Sequence, residues 1–260
     1  MRSGYFYADE NWSPVSGPEA EELVKARNDA HFLSDDSGVI RVSRERWEQA
    51  SAAERNGWLT LWTKAKTDRN ETHSHMFDGY SELRKYHFQS AIELGCGPFT
   101  NLATMGDILS IGECHLLDPL VNDYVSHEHC RYKTGKLVTA SGKEIPVANR
   151  YGVPIEDVQS LSRFPLVVMI NVIEHCIDAE RIFEVISTMA QGTFFVFHDK
   201  LYKHDEVAEA ASRIFDIGHP LKVDGKYLTS KLRSLFDPVF WRTVQTSGRQ
   251  DEIYMIGRRL

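Results

Sequence analysis

The residues best suited to chemistry fall into three groups along the chain. Gly95-Cys96-Gly97 closes an apolar run that includes Ala91, Ile92 and Leu94, and helical sequence follows it. Glycines at a strand-to-helix turn remove side chains, so backbone can approach a ligand and N–H groups can face it. Asp118 ends the next apolar run, ECHLLD (113–118), about 20 residues after the glycines. A carboxylate there can accept both hydroxyls of a ribose; its competing use is as a helix cap or loop anchor. Asn171-Val172-Ile173-Glu174-His175 directly follows the apolar run PLVVMIN (165–171). Three histidines are candidate bases, since imidazole titrates near neutrality. They are His175, His198 with Asp199 beside it at the end of GTFFVFHD, and His219 in FDIGHPLKV.

These groups need a scaffold that brings strand ends together, and the pattern supplies one. SAIELG, ECHLLD, PLVVMIN and GTFFVFHD read as strands, with NLATMGDIL and AERIFEVISTMA as intervening helices. KYLTSKLRSLF reads as an amphipathic helix, and PVFWRTVQTS with EIYMIGRRL as a closing antiparallel hairpin around GRQD. The alternation predicts an α/β fold: a doubly wound, mostly parallel seven-stranded sheet with helices on both faces and an antiparallel last strand. A polar insertion, CRYKTGKLVTASGKEIPV, is expected to form a hairpin turning at SGK. Residues 1–70 read as a mainly helical extension or lid and 71–260 as the main domain. Within the extension, GPEAEELVKARND and RERWEQASAAERNGWLTLWTKA read as helices and SGVIRVS as a short strand. Trp47, Ala50, Ala53 or Glu54, Trp58, Leu61 and Trp62 recur at helical spacing and are expected to pack on the main domain; Tyr5, Phe6, Tyr7 and Trp12 suit a lid. HSHMFDGYSELRKYHF (73–88) reads as one helix leading into the first strand.

Bulk properties narrow the partners. With 260 residues, net charge −7 and a pI near 5.9, the chain opposes a long polyanion, so no nucleic acid is expected. Four scattered cysteines without a CxxC pair read as reduced thiols of a cytoplasmic protein. No run approaches membrane-spanning length, and MRSGYFYADENW is too polar for a signal peptide. A small molecule or glycan is the expected partner, and self-association into a homodimer stays open.

The glycine turn alone is ambiguous. The third glycine of a dinucleotide fingerprint would fall at Thr100, and no GKS or GKT follows. ELGCG, LLDP and NVIEH at these intervals resemble the class I S-adenosylmethionine-dependent methyltransferases, over roughly residues 88 to 200. The similar branch, with N-V-[LI]-E-H as fourth motif, acts mainly on small molecules. The resemblance implies S-adenosylmethionine as cofactor, with Glu93, Gly95, Cys96 and Gly97 at its amino-acid end, Asp118 on the ribose and Pro119 and Leu120 near the adenine. Asn171 would lie near the methionine moiety. Ile155-Glu156-Asp157-Val158 matches the third motif, but Pro154 stands where the family has an acidic residue, so Ile155, Glu156 or Asp157 must take over its adenine contact. The implied reaction is O-methylation of a small molecule, sugar or glycan, with a histidine base. Two other readings stay open: a nicotinamide-dependent oxidoreductase, and a non-catalytic protein of this fold. His73-Ser74-His75 and His127-Glu128-His129-Cys130 lack zinc-site spacing and read as solvated loops, and no metal is expected.

Overall fold

A computed structural model describes residues 32–34, 40–202, 218–245 and 251–260. Two short strands, β1 (Phe32–Ser34) and β2 (Ile40–Val42), form a separate antiparallel pair. Helix α1 (Arg44–Asn56) follows, capped by Ser43, whose side chain accepts from Arg46 N, and it runs on into a wider turn over Gly57–Leu61. Helix α2 is Asn70–Met76. The helix expected over 73–88 therefore begins earlier and breaks sooner: Gly79 and Tyr80 take positive φ, and β3 (His87–Leu94) starts within its last residues.

The remaining elements are α3 (Asn101–Ile108), β4 (Ser110–Leu117), β5 (Lys136–Val138), β6 (Glu144–Tyr151), β7 (Leu166–Ile170), α4 (Ala179–Ser187), β8 (Phe194–Leu201), α5 (Gly225–Leu235), β9 (Phe236–Gln245) and β10 (Asp251–Arg259). The main sheet has order β5-β6-β4-β3-β7-β8-β10-β9. Its centre is parallel, and β10 runs antiparallel to both β8 and β9. The sheet has eight strands where seven were expected, because the predicted insertion hairpin docks on the sheet. One arm, β6, pairs parallel with β4, and the other, β5, adds an antiparallel edge. The segments GPEAEELVKARND and DEVAEAASRIFD and the aromatic residues 5–12 lie outside the described residues.

Strand periodicity builds the two faces. Val167 and Met169 of β7, with Phe195 and Phe197 of β8, bury on one face with Ile182, Phe183 and Ile186 of α4 and Leu228 and Leu232 of α5. Leu166, Val168 and Ile170, with Phe194 and Val196, bury on the other with Leu102 and Met105 of α3 and with Phe77, Tyr80 and Leu83. β7 is buried along its whole length, as a central parallel strand must be. The parallel strands β3, β4 and β7 all end on the same side, where a crevice opens.

Candidate functional site

That crevice is a cavity of about 450 Å³. Its floor is the turn after β3. Gly95 (φ +71°) and Gly97 (φ +53°) both need the left-handed region, and Gly95 N and Cys96 N donate to Leu117 O. The two glycines serve different ends. A Cβ on Gly95 would stand 2.6 Å from Val172 Cγ2, so packing requires its absence, whereas one on Gly97 would meet nothing within 4 Å. Gly97 lines the cavity, so its bare backbone leaves room there for a ligand.

Glu93 lies behind this floor rather than on the cavity. It shares the sheet face of Ala91, toward α3, and is fully buried. Its carboxylate accepts from Thr100 Oγ1, from Asn101 N and Nδ2 at 2.9 Å each, and from Leu102 N at 3.1 Å. Burial pushes its pKa up against the pull of these donors. The side chain thus caps α3 and holds the turn in shape. The placement beside a ligand's amino group that the resemblance implied is not what this geometry shows.

Asp118 does face the cavity. Its Oδ2 accepts from Gly97 N at 3.0 Å and its Oδ1 from Leu120 N at 2.8 Å. Each oxygen keeps acceptor capacity for a ligand hydroxyl. Burial pushes its pKa up to about 6, against the pull of the Leu120 and Gly97 amides. Cys96, Pro119, Leu120, Pro154, Ile155 and Glu156 complete this end of the lining. Glu156 Oε1 accepts from Ile177 N at 2.7 Å and Asp178 N at 3.1 Å. Asp157 turns away and pairs with Arg44 at 3.8 Å.

The segment after β7 forms the next wall. Asn171 lines the cavity with φ +59°, a conformation asparagine tolerates better than most residues, and its N–H donates to His198 O. Asp199 fixes the following turn: its Oδ2 accepts from Val172 N at 3.1 Å and Ile173 N at 2.8 Å, and its Oδ1 from Lys200 N at 2.9 Å. Asp199→Asn would turn one of these acceptors into a donor facing an N–H. The expected cost is about 2 kcal/mol of stability, read by urea unfolding. Glu174, at the centre of NVIEH, is buried and accepts from Lys200 Nζ and from Tyr202 Oη. Burial alone would raise its pKa, but His219, Lys200 and Lys222 outweigh burial and hold it well below the usual range. Its backbone carbonyl accepts from Leu221 N, which ties the loop bearing His219 to this wall.

The three candidate histidines separate. His175 and His219 both line the cavity, with ring centroids 4.5 Å apart, and His175 Nδ1 lies 3.6 Å from Glu54 Oε1. His198 does not line it. The alternation of β8 sends Phe195, Phe197 and Asp199 to one face and Phe194, Val196 and His198 to the other. His198 is 1 % exposed there, with Nε2 3.4 Å from Glu252 Oε2 and its ring against Tyr254 and His73.

Several lining residues carry no motif. Trp47, Ala50, Glu54, Trp58 and Trp62 present one stripe to the cavity. The stripe packs on the main domain in part: Trp47 Nε1 donates to His175 O at 3.1 Å and Trp58 meets Phe99 edge-on, but Leu61 and Trp62, expected to pack as well, are exposed. Trp47 and Trp58 thus both pack and wall the cavity. From α2, His73 lines it too, buried rather than solvated, and burial and the neighbouring His198 lower its pKa to about 3, so the ring is neutral. His127 is likewise buried, against Trp62 O.

Four buried polar atoms of lining residues have no hydrogen-bond partner among the described residues: His73 Nδ1, Asn101 Oδ1, Glu156 Oε2 and Asn171 Oδ1. Buried polar groups are nearly always paired, and these four belong to residues that line the cavity with Asp118.

No protein-family model matches the chain, and no curated protein matches it. Its likeness is to solved structures. The N-methyltransferase NodS from Bradyrhizobium japonicum WM9, in complex with S-adenosyl-L-homocysteine, superposes with TM-score 0.55 at 14% identity over 82% of this chain and 98% of that one. A second NodS structure gives TM-score 0.51 at 15% identity over 75% and 99%. The PH0226 protein from Pyrococcus horikoshii OT3 gives 0.52 at 10% identity over 78% and 95%. At these identities the likeness shows the fold alone, a Rossmann-like sheet.

Proposed function

We propose that the cavity binds S-adenosylmethionine and that the protein transfers its methyl group to an oxygen of a small molecule, sugar or glycan. The observation that carries the reading is the convergence on one cavity of Asp118 and the four unpartnered polar atoms. Orphaned acceptors and neutral donors suit a zwitterionic nucleoside amino acid. When bound, this cofactor supplies an electrophilic methyl group on a positively charged sulfur.

Asp118 would accept from the two ribose hydroxyls. Pro119, Leu120 and Ile155 would pack about the base, and Glu156 Oε2 would accept from its amino group in place of the acidic residue that Pro154 replaces. The turn Gly95-Cys96-Gly97 and Asn171 would hold the amino-acid end, with Asn101 and Asn171 offering oxygens to an ammonium group. The tryptophan stripe, His73, His175 and His219 line the space left for the acceptor. Flat aromatic walls suit a ring-shaped acceptor. Orientation of acceptor against donor can supply roughly 7–11 kcal/mol of the barrier. Activation of the acceptor oxygen is assigned to His175 and His219, and His198 is left with a supporting place behind His73.

Thermal unfolding with S-adenosylmethionine, S-adenosylhomocysteine and NAD tests this. A ligand of the native state at 100 times its Kd adds about 2.7 kcal/mol. The midpoint is expected to rise with both sulfur compounds and not with NAD. A rise with NAD alone would favour the oxidoreductase and overturn the proposal.

A further inference from the structure

We propose that Glu54, His175 and His219 form a site for a divalent cation of the zinc type on the acceptor wall of the cavity. One donor atom from each can be taken so that all lie within 4.8 Å of one another. The three come from separate elements, α1, the turn after β7 and the loop before α5, and all three line the cavity. Two imidazoles and a carboxylate are the ligand set of catalytic zinc and its first-row neighbours, which leave a coordination position for substrate. Magnesium and calcium prefer all-oxygen sites and fit poorly here. Donors bound about 2.0–2.2 Å from one ion sit roughly 3.3–3.6 Å apart. Binding therefore draws the donor atoms together by up to about 1.5 Å, a change that rotation of the rings and of the Glu54 chain can supply.

The surroundings support the ligand role. His219 Nε2 lies 3.7 Å from Glu174 Oε1. A carboxylate behind a ligating imidazole orients it and raises its basicity. Glu174 is itself engaged by Lys200 and Tyr202, so its charge is already balanced and it backs the site without joining it. The Leu221 N to Glu174 O bond holds the His219 loop in register with His175.

The ion's purpose rests on the methyl-transfer reading, but its binding does not. A cation on this wall would take an acceptor hydroxyl as a ligand and lower its pKa. The ligands His175 and His219 then act through the ion and not as bases. The hydroxyl proton passes to solvent, the oxygen's electron pair forms the O–CH3 bond as the S–CH3 bond breaks, and the sulfur leaves with that bonding pair as a neutral thioether.

The test is direct titration of chelator-treated protein, with Co²⁺ followed by visible absorption and Zn²⁺ by calorimetry. One equivalent is expected to bind, with d–d bands of a low-coordinate nitrogen-oxygen site. His175→Ala, His219→Ala and Glu54→Gln should each weaken binding at least tenfold. Absence of saturable binding, or equal binding by the variant carrying all three changes, overturns the site, the second outcome by assigning the ion to surface histidines. S-adenosylhomocysteine is titrated into the same samples. If it binds and no metal does, the metal site fails and the cofactor reading stands; if metal binds and it does not, the reverse holds.

Discussion

Asp118→Asn is expected to weaken S-adenosylhomocysteine by about 100-fold, measured by titration calorimetry. The carboxylate has one N–H on each oxygen, from Gly97 and from Leu120, and one acceptor site left on each for a ribose hydroxyl. Hydrogen bonds to a charged group are worth about 1.5–3 kcal/mol each. Asparagine keeps one oxygen and sets an NH2 against both an amide and a hydroxyl. It therefore loses one bond outright and opposes another, about 3 kcal/mol in all. The same carboxyl predicts a pH dependence. Its pKa in the free protein is pushed up to about 6, and only the ionised form can accept from both hydroxyls. Ligand binding thus releases a proton when it begins from the protonated form, and affinity falls as pH drops through about 6. Affinity at pH 5 is expected to be about tenfold below that at pH 7. The asparagine variant should lose that slope. An unchanged affinity in Asp118→Asn would remove Asp118 from the site.

What could be read in advance follows from which property fixes each feature. The sheet was legible because strand burial has period two and helix burial a longer one, and both periods survive in a single chain. β7 is a run of five apolar residues between Pro165 and Asn171, and it folds as the central buried strand. The same parity, applied strictly, would have placed His198 with Phe194 and Val196 rather than with Asp199. It would also have placed Glu93 with Ala91, facing the helix it caps. Position at a strand end put both residues near the crevice, but their faces decide whether they reach it. His73 and Glu54 were not legible as site residues. Each sits on a helix that precedes β3, and only tertiary packing brings α1 and α2 over the strand ends. A signal existed for Glu54 alone: it lies seven residues after Trp47 and four after Ala50, on the stripe that walls the cavity.

The glycine turn allows the fold and the site to be tested apart. Gly95→Ala is expected to cost about 4 kcal/mol of stability, because two penalties add. A φ of +71° strains any residue with a Cβ, by about 1–2 kcal/mol, and that Cβ would stand 2.6 Å from Val172 Cγ2. Pairing it with Val172→Ala should restore the part owed to the overlap and leave the part owed to φ. Gly97→Ala keeps only the conformational strain, at φ +53°, since nothing lies within 4 Å of the added carbon. Its stability should fall by about 1–2 kcal/mol. Its added methyl, however, stands beside the N–H that Asp118 accepts, where the ligand must approach. S-adenosylhomocysteine affinity should therefore fall by at least tenfold in a protein that still unfolds cooperatively in urea. Retained affinity in Gly97→Ala would mean that the ligand does not rest on this turn, and Asp118 would then be serving as an anchor for the loop.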